Sequence, residues 1–304
     1  MKQYFAVDIG GTAVKWAVIT EDNQIQKKGE FATPYDGAEA LVEAVARTLE
    51  AQEETFTGIG VSVPGTVPND PDGIIYGGGV LTFLDKVPFG KMLGERCNLP
   101  CAVENDGKSC ALGEYSAGAL QGSHTGIVLV LGTGIGGGIV IDGKIFKGAH
   151  SFAGEFSFIC ADPEVGLMEG NEFGKSCGWK TGLQTLILKE KQLSLDTEAD
   201  GKQLFEWINS GDEAAMRGLR SFCRRLALQI NNLQVILDPE VVAIGGGIST
   251  QPVLFRVLKE EMDLMYEKTP WKHIPVPKVV KCEHGNDANL LGAVYQCMKK
   301  MQEK

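Results

Sequence analysis

The fold is indicated most clearly by the stretch from Tyr4 to Ile19, YFAVDIGGTAVKWAVI. Two runs rich in valine, alanine and aromatic residues flank Gly10-Gly11-Thr12, a pattern typical of two strands joined by a glycine-rich bend. Because glycine has no Cβ, the backbone of this bend can approach a ligand closely. Asp8 before the bend could hold a magnesium-bound water, and Lys15 after it adds a positive charge. The stretch therefore predicts a β-hairpin that binds phosphate, with an ordinary tight hairpin as the alternative.

A second hairpin is predicted from Gly126 to Phe146, GIVLVLGTGIGGGIVIDGKIF. Its turn contains the G-x-G-x-x-G spacing of dinucleotide-binding proteins, but that fold requires a helix immediately after the glycines. Here Ile139-Val140-Ile141 and then Asp142-Gly143 follow, which indicate a strand and another hairpin turn. We therefore expect two hairpins whose backbone N–H groups hold one polyphosphate. The expected contacts in the second turn are Gly132, Thr133, Gly134 and Gly136.

A third glycine cluster, Gly245-Gly246-Gly247, follows a strand-like run and precedes a helix. Glycines at this point would let a flat group such as an adenine lie on bare backbone. A plain strand-to-helix turn is the alternative, but it would not need three glycines. We therefore expect Gly246 and Gly247 to contact the nucleotide.

Strands alternate with helices in both halves of the chain, and each half opens with one of the two hairpins. This alternation favours an α/β fold in which a mixed sheet is covered by helices in each of two domains, with the ligand in the crevice between them. A glycine-rich break near Gly118–Gly122 gives a small domain of residues 1–119 plus the C-terminal helix 288–304, and a large domain of residues 120–287. The predicted helices are Ala38–Gln52, Phe89–Cys97, Lys108–Ala117, Leu183–Glu190, Gly201–Asn209, Glu213–Leu237, Val253–Tyr266 and Ala288–Met301.

Composition limits the classes of partner. The 304 residues include 39 glycines, roughly twice the usual share. The formal charge of −10 disfavours nucleic acid and anionic membranes as main partners, although backbone N–H groups can still bind a small anion. No signal-peptide pattern or membrane-spanning run is present, and eight cysteines are far from the density of a disulfide scaffold. We therefore expect a cytoplasmic protein, and its apolar surface helices make a homodimer an open possibility.

Six motifs follow one another along the chain: DIGGT (Asp8–Thr12), VEND (Val103–Asp106), LGTGIGGG (Leu131–Gly138), AGEF (Ala153–Phe156), AIGGGIS (Ala243–Ser249) and NDANLLGA (Asn286–Ala293). Together they resemble the motifs of the ROK (repressor, open reading frame, kinase) sugar kinases of the actin-like ATPase superfamily. The resemblance implies two RNase-H-like domains around a hinged cleft, and ATP- and Mg²⁺-dependent phosphorylation of a hexose hydroxyl, with the C6 hydroxyl as the expected acceptor. It also implies that Gly65 and Gly78 belong to loops that contact the sugar.

Three polar residues are candidates for chemistry on the sugar. Asp106 lies between a buried strand and the start of a helix, where its carboxylate could act as a general base; the alternative is an N-cap for the helix that follows. Asn105 can both donate and accept hydrogen bonds, which suits a sugar hydroxyl. Glu155 lies in an otherwise apolar stretch, where an unpaired carboxylate is costly, so a hydroxyl-bearing ligand is its expected partner. A surface loop acid is the alternative for Glu155.

The sequence departs from the zinc-containing members of that family. Those proteins carry a histidine three residues after the glutamate of the A-G-E motif, where this chain has Phe158, followed by a cysteine-rich run of which Cys177-Gly178 is a remnant. We therefore expect no structural zinc. The pattern is similar to β-glucoside kinases and some N-acetylmannosamine kinases, and it favours the β-glucoside group, but it does not identify the sugar.

Two other functions compete with the kinase. A sugar-responsive transcriptional regulator of the same family would carry an added helix-turn-helix segment, whereas here Tyr4–Val7 is already predicted as the first core strand. A nucleotide-binding module of the actin-like kind would have no need of Asn105, Asp106 and Glu155. Sugar-independent ATP hydrolysis with nucleotide-driven assembly would favour that module.

Overall fold

The computed structural model describes residues 1–160, 172–270 and 273–302. Its strands are β1 (Gln3–Ile9), β2 (Ala13–Thr20), β3 (Ile25–Ala32), β4 (Phe56–Val63), β5 (Ile74–Ile75), β6 (Val87–Pro88), β7 (Cys101–Asn105), β8 (Thr125–Leu131), β9 (Ile135–Ile141), β10 (Lys144–Ile145), β11 (Val241–Gly245) and β12 (Lys278–Lys281). Its α-helices are α1 (Ala38–Glu50), α2 (Phe89–Cys97), α3 (Asp106–Ala117), α4 (Phe173–Ser176), α5 (Thr185–Glu190), α6 (Gly201–Asn209), α7 (Glu213–Leu237), α8 (Pro252–Lys268) and α9 (Ala288–Gln302). The predicted helices and both predicted hairpins are present, with small shifts at their ends.

The strand β3 was not predicted, and its residues explain why. Its sequence, IQKKGEFA, is mostly solvent-exposed and carries three charged side chains. It lacks the run of β-branched and aromatic residues that indicates a strand. Antiparallel pairing with β2 holds it at the edge of the sheet, so its conformation comes from a neighbouring strand and not from its own sequence.

By packing, the chain divides into two units. Unit 1 comprises Met1–Ser123, Gly137–Gly154 and Glu283–Lys304, and unit 2 comprises His124–Gly136 and Glu155–Cys282. Three segments that were predicted to lie in the large domain belong to unit 1: residues 120–123, 137–154 and 283–287. The limits of 1–119 plus 288–304, and of 120–287, remain a proposal for the folding domains.

The main sheet of unit 1 has the strand order β3-β2-β1-β4-β7. Strand β2 is antiparallel to both of its neighbours, β1 and β3, whereas β4 and β7 run parallel to β1. Side chains alternate along β1, so Phe5 and Val7 enter one core with α1, while Tyr4 and Ala6 enter the other with α9. Because parallel strands end at the same edge of a sheet, the residues that follow β1, β4 and β7 lie along one edge. Gly10 and Asp106 are among them.

Helices α3 and α9 pack with their backbones in direct contact. A Cβ placed on Gly292 of α9 would lie 1.8 Å from the carbonyl oxygen of Ser109 on α3. Only glycine fits at that position. This close approach fixes the C-terminal helix against α3, whose first residue is Asp106.

In the second sheet the strand order is β10-β9-β8-β11-β12, and within unit 2 the strand β11 pairs in parallel with both β8 and β12. The long helix α7 buries an apolar stripe that includes Leu219, Phe222 and Ile230, whereas Ile236, predicted on the same stripe, is exposed. Buried Glu261 of α8 accepts a hydrogen bond from Arg224 of α7 over 3.1 Å, which joins the two helices. None of the helices in the described part of the chain has the length and apolar character needed to span a membrane.

Candidate active site

The turn between β1 and β2 is held through its carbonyl oxygens. The Thr33 hydroxyl donates to Gly10 O over 2.7 Å, and the Tyr35 hydroxyl donates to Gly11 O over 2.6 Å. In a trans peptide the carbonyl oxygen and the following N–H point in opposite directions. The N–H groups of Gly11 and Thr12 therefore face away from the two hydroxyls.

Asp8 is fixed at the end of β1 by two side chains. Its Oδ1 accepts hydrogen bonds from Ser62 Oγ on β4 over 2.6 Å and from Asn289 Nδ2 on α9 over 3.1 Å. Lys15 lies directly opposite Asp8 in the antiparallel register of β1 and β2, so the two side chains lie on the same face of the sheet. Asn289 belongs to the NDANLLGA motif, but its contact with Asp8 was not predicted.

The turn between β8 and β9 is fixed from within unit 2. Gly132 O accepts a hydrogen bond from the N–H of Trp179 over 3.0 Å. The Ser157 hydroxyl accepts from the N–H of Ile135 over 2.9 Å and donates to its carbonyl oxygen over 3.1 Å. A strand follows the glycines, as predicted, so the turn lacks the helix that a dinucleotide fingerprint requires. Gly132, Thr133, Gly134 and Gly136 all belong to this hairpin.

A cavity of about 920 Å³ lies within unit 2. Aromatic and aliphatic side chains form part of its wall, and amide and charged groups form the rest, a mixture typical of small-molecule sites. Three residues expected to contact the nucleotide, Gly132, Thr133 and Gly247, line it. The complete lining is Leu131, Gly132, Thr133, Trp179, Gly201, Lys202, Phe205, Glu206, Asn209, Gly247, Ile248 and Gln251.

The neighbouring glycines Gly246 and Gly247 have different surroundings. Gly246 has a φ of +89°, and a Cβ there would lie 2.2 Å from Leu131 O, so this position requires glycine to let β11 and β8 approach. A Cβ on Gly247 would have no atom within 4 Å in the described structure. Gly247 therefore borders open space in the cavity, whereas Gly246 serves the packing beneath it.

The junction of β7 and α3 holds Asn105 and Asp106. Asn105 is the N-cap of α3, because its Oδ1 accepts from the N–H of Lys108 over 3.1 Å. Its Nδ2 donates to Asp106 Oδ1 over 2.9 Å, and the same oxygen accepts from the N–H of Gly107 over 2.7 Å. The side chain of Asn105 is buried and that of Asp106 is exposed. The N-cap that was considered for Asp106 is therefore supplied by Asn105.

The loop after β4 is joined to this junction. Asn105 Nδ2 donates to Gly65 O over 2.9 Å, which brings two of the expected sugar contacts together. Thr66 and Tyr76 pair through both of their backbone hydrogen bonds and connect this loop to the segment that holds Gly78. Within unit 1, the structure thus places Gly65, Asn105 and Asp106 next to one another, with Gly78 on the adjoining loop.

Glu155 opens a short 3-10 helix in unit 2. It is half-buried, and its carbonyl oxygen accepts from the N–H of Phe158 over 3.2 Å. The Phe158 side chain is 42% exposed, so the residue in the position of the missing histidine presents an apolar ring to solvent. Glu155 is neither in the core of the unit nor fully exposed.

Comparisons with known proteins identify the family. A family model described as the ROK family matches residues 4–300. This chain belongs to the ROK family. It is 31% identical to a glucokinase of Halalkalibacterium halodurans, an alignment that covers 99% of this chain and 96% of the relative. It is 30% identical to a β-glucoside kinase of Klebsiella pneumoniae, over 95% of this chain and 94% of the relative.

Solved structures of the ROK family share the fold. A ROK family protein from Streptococcus pneumoniae, solved in complex with sucrose, superposes with a TM-score of 0.88 at 25% identity and covers 99% of this chain and 100% of the other. A ROK family glucokinase from Streptomyces griseus, solved with glucose and AMPPNP, superposes with a TM-score of 0.75 at 26% identity, over 96% and 97% of the two chains. The predicted fold class, α/β with two actin-like, RNase-H-like domains, is confirmed.

A zinc site in this ROK chain would need a group of metal-ligating side chains. Within residues 1–160, 172–270 and 273–302, no three His, Cys, Asp or Glu side chains are grouped so as to hold a metal ion. Cys160 is exposed, whereas Cys177 is buried, and burial raises the pKa of the Cys177 thiol to about 12. The absence of a structural zinc remains an expectation from the sequence.

Sequence reasoning missed the part of the ROK chain that completes the cavity wall. The helix α6 contributes Lys202, Phe205, Glu206 and Asn209, and its apolar side chains follow the spacing of an ordinary amphipathic helix. Trp179 was also missed, because it begins a π-helical turn, Trp179–Gln184, that no simple periodicity predicts. Glycine turns gave a usable sequence signal, whereas a helix that borders the cavity on one side did not.

Proposed function

We propose that this protein transfers the γ-phosphoryl group of ATP to the C6 hydroxyl of a hexose, hexosamine or β-glucoside, with Asp106 as the general base. As a member of the ROK family with sugar-kinase relatives, the chain is a hexokinase-type sugar kinase. The sugar, the phosphorylated carbon and the role of Asp106 are the parts that we add. The observation that supports the role of Asp106 is the Asn105–Asp106 junction, where a buried amide donates to an exposed carboxylate.

The cavity of unit 2 is proposed to hold the nucleoside of ATP. Its aromatic walls, Trp179 and Phe205, offer flat surfaces to a base, and the amides of Asn209 and Gln251 offer donors and acceptors. The hairpin turns at Gly10–Thr12 and Gly132–Gly136 would supply backbone N–H groups to the phosphates, with Lys15 as a nearby cation. Such groups can bind a polyphosphate although the whole chain is acidic.

Asp106 has the surroundings that base catalysis requires. Phosphoryl transfer depends mainly on positioning and charge stabilisation, and the protein must also orient the attacking hydroxyl and accept its proton. The hydrogen bonds from Asn105 and Gly107 both go to Oδ1 of Asp106, so the direction of Oδ2 is fixed as well. In the proposed reaction the sugar hydroxyl transfers its proton to Asp106 and its oxygen bonds to the γ-phosphorus. The bond between that phosphorus and the β–γ bridging oxygen breaks, and ADP leaves.

Magnesium is proposed to bind with ATP close to Asp8. The carboxylate is held in one orientation by Ser62 and Asn289, and a single carboxylate together with phosphates and waters is a usual magnesium environment. When bound, the ion would neutralise charge on the phosphate oxygens. Asp8 would orient a water of its hydration shell.

The choice of sugar is proposed from the region of Glu155 and Phe158. Glu155 is half-buried and Phe158, three residues later, is partly exposed. A carboxylate and an aromatic ring in one segment suit a ligand that has hydroxyl groups on one side and an apolar face on the other. A β-glucoside with an apolar aglycone fits that description better than free glucose. Assembly into a homodimer is also proposed, supported by the exposed apolar side chains of Leu228, Val235 and Ile236 on α7.

A coupled assay of ADP release over a sugar panel tests the proposal. The panel contains glucose, N-acetylmannosamine, N-acetylglucosamine, cellobiose and an aryl β-glucoside, each with ATP and Mg²⁺. We expect sugar-dependent ADP release with the highest kcat/KM for a β-glucoside, and a 6-phosphate identified by NMR of the product. ATP hydrolysis that is equally fast without any sugar would reject the kinase in favour of a nucleotide-binding module.

A further inference from the structure

A fully buried ion pair lies behind the junction of β7 and α3. The ammonium group of Lys147 lies 2.9 Å from Glu104 Oε2, and the two side chains are 2% and 0% exposed. Burial lowers the pKa of Lys147, and the adjacent Glu104 carboxylate opposes that shift. Both residues belong to unit 1.

The pair is connected to the two segments that carry the proposed sugar site. Lys147 Nζ also donates to Val67 O over 2.7 Å, in the loop that follows Gly65. Glu104 Oε1 accepts from the N–H of Asn105 over 3.0 Å, directly before Asp106. A single ammonium group thus joins the end of β7 to the loop after β4.

Asn105 makes the same connection one layer closer to the surface. Its Nδ2 donates both to Gly65 O and to Asp106 Oδ1, each over 2.9 Å. The loop and the strand end are therefore linked twice, first by the Asn105 amide and then by the Lys147–Glu104 pair behind it. Gln296 of α9 also donates to Glu104 Oε2, over 3.2 Å, which holds the carboxylate from the side of the C-terminal helix.

A buried ion pair needs a reason other than stability. Removing two charges from water is costly, and a well-packed apolar pair of similar size is often as stable or more stable. What an apolar pair cannot provide is a fixed direction for the backbone of Asn105 and for the carbonyl of Val67. Those two directions determine where Gly65, Asn105 and Asp106 stand relative to one another.

We propose that Lys147, acting through Glu104 and the Val67 carbonyl, is a positioning residue for the phosphoryl-transfer step. It holds the loop of Gly65 and the Asn105–Asp106 junction in one geometry and makes no contact with the substrate itself. The inference rests on the proposed function, because it assigns Lys147 to the step in which Asp106 is the base. Small displacements of a catalytic group lower kcat strongly, whereas nucleotide binding in the cavity of unit 2 is expected to be unaffected.

The test compares Lys147→Met, Lys147→Arg and the double variant Lys147→Met/Glu104→Gln with wild type. The double variant removes both charges, so we expect it to fold even where a lone buried carboxylate in Lys147→Met prevents folding. The control is Val45→Ala, which removes buried side-chain volume from α1 of unit 1 and leaves the Lys147–Glu104 pair intact. For each variant, kcat, the KM for ATP and the thermal midpoint are measured, and amide hydrogen exchange is followed at residues 64–67 and 104–107.

We expect the double variant to lose about tenfold or more in kcat, with the KM for ATP within about threefold of wild type. Lys147→Arg should recover part of kcat, because the charge and a donor remain. Hydrogen exchange should accelerate at residues 64–67 and 104–107 in the double variant, and not there in Val45→Ala. A folded double variant with wild-type kcat and unchanged local exchange would overturn the inference.

The exchange measurement separates this inference from the proposed function. If wild type shows no sugar-dependent ADP release, the kinase proposal fails. The positioning role of Lys147 is still tested in that case, because unchanged amide hydrogen exchange at residues 64–67 and 104–107 of the double variant would overturn it. A second outcome would also reject the inference. If the double variant and Val45→Ala have the same thermal midpoint and lose the same fraction of the wild-type kcat, Lys147 contributes only to stability.

Discussion

Asn105 donates a hydrogen bond from its side-chain amide to the carboxylate of Asp106 over 2.9 Å, while its own oxygen caps helix α3. One residue therefore performs the structural role, and its neighbour is left exposed at the first position of the helix. The sequence alone left open whether Asp106 was a cap or a base. With the cap assigned to Asn105, the orientation of Asp106 becomes the feature that the kinase proposal depends on.

Replacing Asn105 by serine should separate capping from orientation. Serine caps helices about as well as asparagine, but its single hydroxyl cannot donate to both Gly65 O and Asp106. We expect Asn105→Ser to lower the free energy of unfolding by about 1 kcal/mol and kcat by about tenfold or more. Thermal unfolding and steady-state kinetics measure the two effects. A kcat equal to that of wild type would show that the amide does not orient the base.

The adjacent glycines Gly246 and Gly247 form a matched pair of sites. A side chain at Gly246 would meet Leu131 O and would adopt a φ of +89°, so Gly246→Ala should destabilise unit 2 by about 2–4 kcal/mol. Gly247→Val adds a side chain in open space at the cavity wall. It should raise the KM for ATP severalfold and leave the thermal midpoint nearly unchanged. An unaltered KM in Gly247→Val would argue against nucleotide binding in this cavity.

Trp179 should report nucleotide binding directly, because its side chain lines the cavity of unit 2. We expect ATP or AMPPNP to change the intrinsic fluorescence of the wild-type protein, and we expect Trp179→Phe to abolish most of that change. Trp16→Phe serves as the control, since Trp16 packs against Phe5 in unit 1. The same nucleotide-dependent signal in Trp179→Phe and wild type would place the nucleotide elsewhere.

The local features of the sequence were enough to predict most of the framework. Helices such as Ala38–Gln52 and Glu213–Leu237 were predicted from apolar spacing, because one apolar stripe per helix is visible in the sequence. The hairpins at Gly10-Gly11 and Gly132–Gly138 were predicted from strand runs around glycine. The edge strand β3 was missed because its conformation is imposed by pairing with β2.

The candidate site was predicted only where a motif marks it. Glycine turns and the Asn105-Asp106 pair have a recognisable pattern, and they lie where the strands of each unit end. The Lys147–Glu104 pair joins residues far apart in the chain, and Asn289 reaches Asp8 from the last helix. Such contacts depend on how the fold brings distant segments together, and the spacing of residues within one segment does not indicate this.

A further prediction concerns acid conditions and the helices α1 and α2. Glu43 of α1 accepts from Arg96 of α2 through both of its oxygens and also from Arg47. The hydrogen bonds from Arg96 and then Arg47 lower the pKa of Glu43 from 4.5 to about 2. A carboxyl whose pKa is lowered by folding stabilises the folded state above its unfolded pKa, and this contribution is lost as the pH falls from about 4.5 towards 2.

The variant Glu43→Gln measures that contribution. We expect its thermal midpoint to lie below that of wild type at pH 7, by a small amount because the group is exposed and the pairs are screened by salt. The difference should shrink as the pH is lowered through 4 to 3. A difference that stays constant down to pH 3 would show that the ion pairs at Glu43 do not contribute in solution.

The most direct test of the whole account is kcat for sugar-dependent ADP release in Asp106→Asn. This variant keeps the size of the side chain at the first position of α3 but removes the carboxylate that accepts the proton. We therefore expect kcat to fall by about 10²–10⁴-fold, while ATP binding, followed by fluorescence, is retained. The matched control is Asp22→Asn, an exposed aspartate in the turn between β2 and β3, and its kcat should equal that of wild type. A wild-type kcat in Asp106→Asn would show that Asp106 is not the general base.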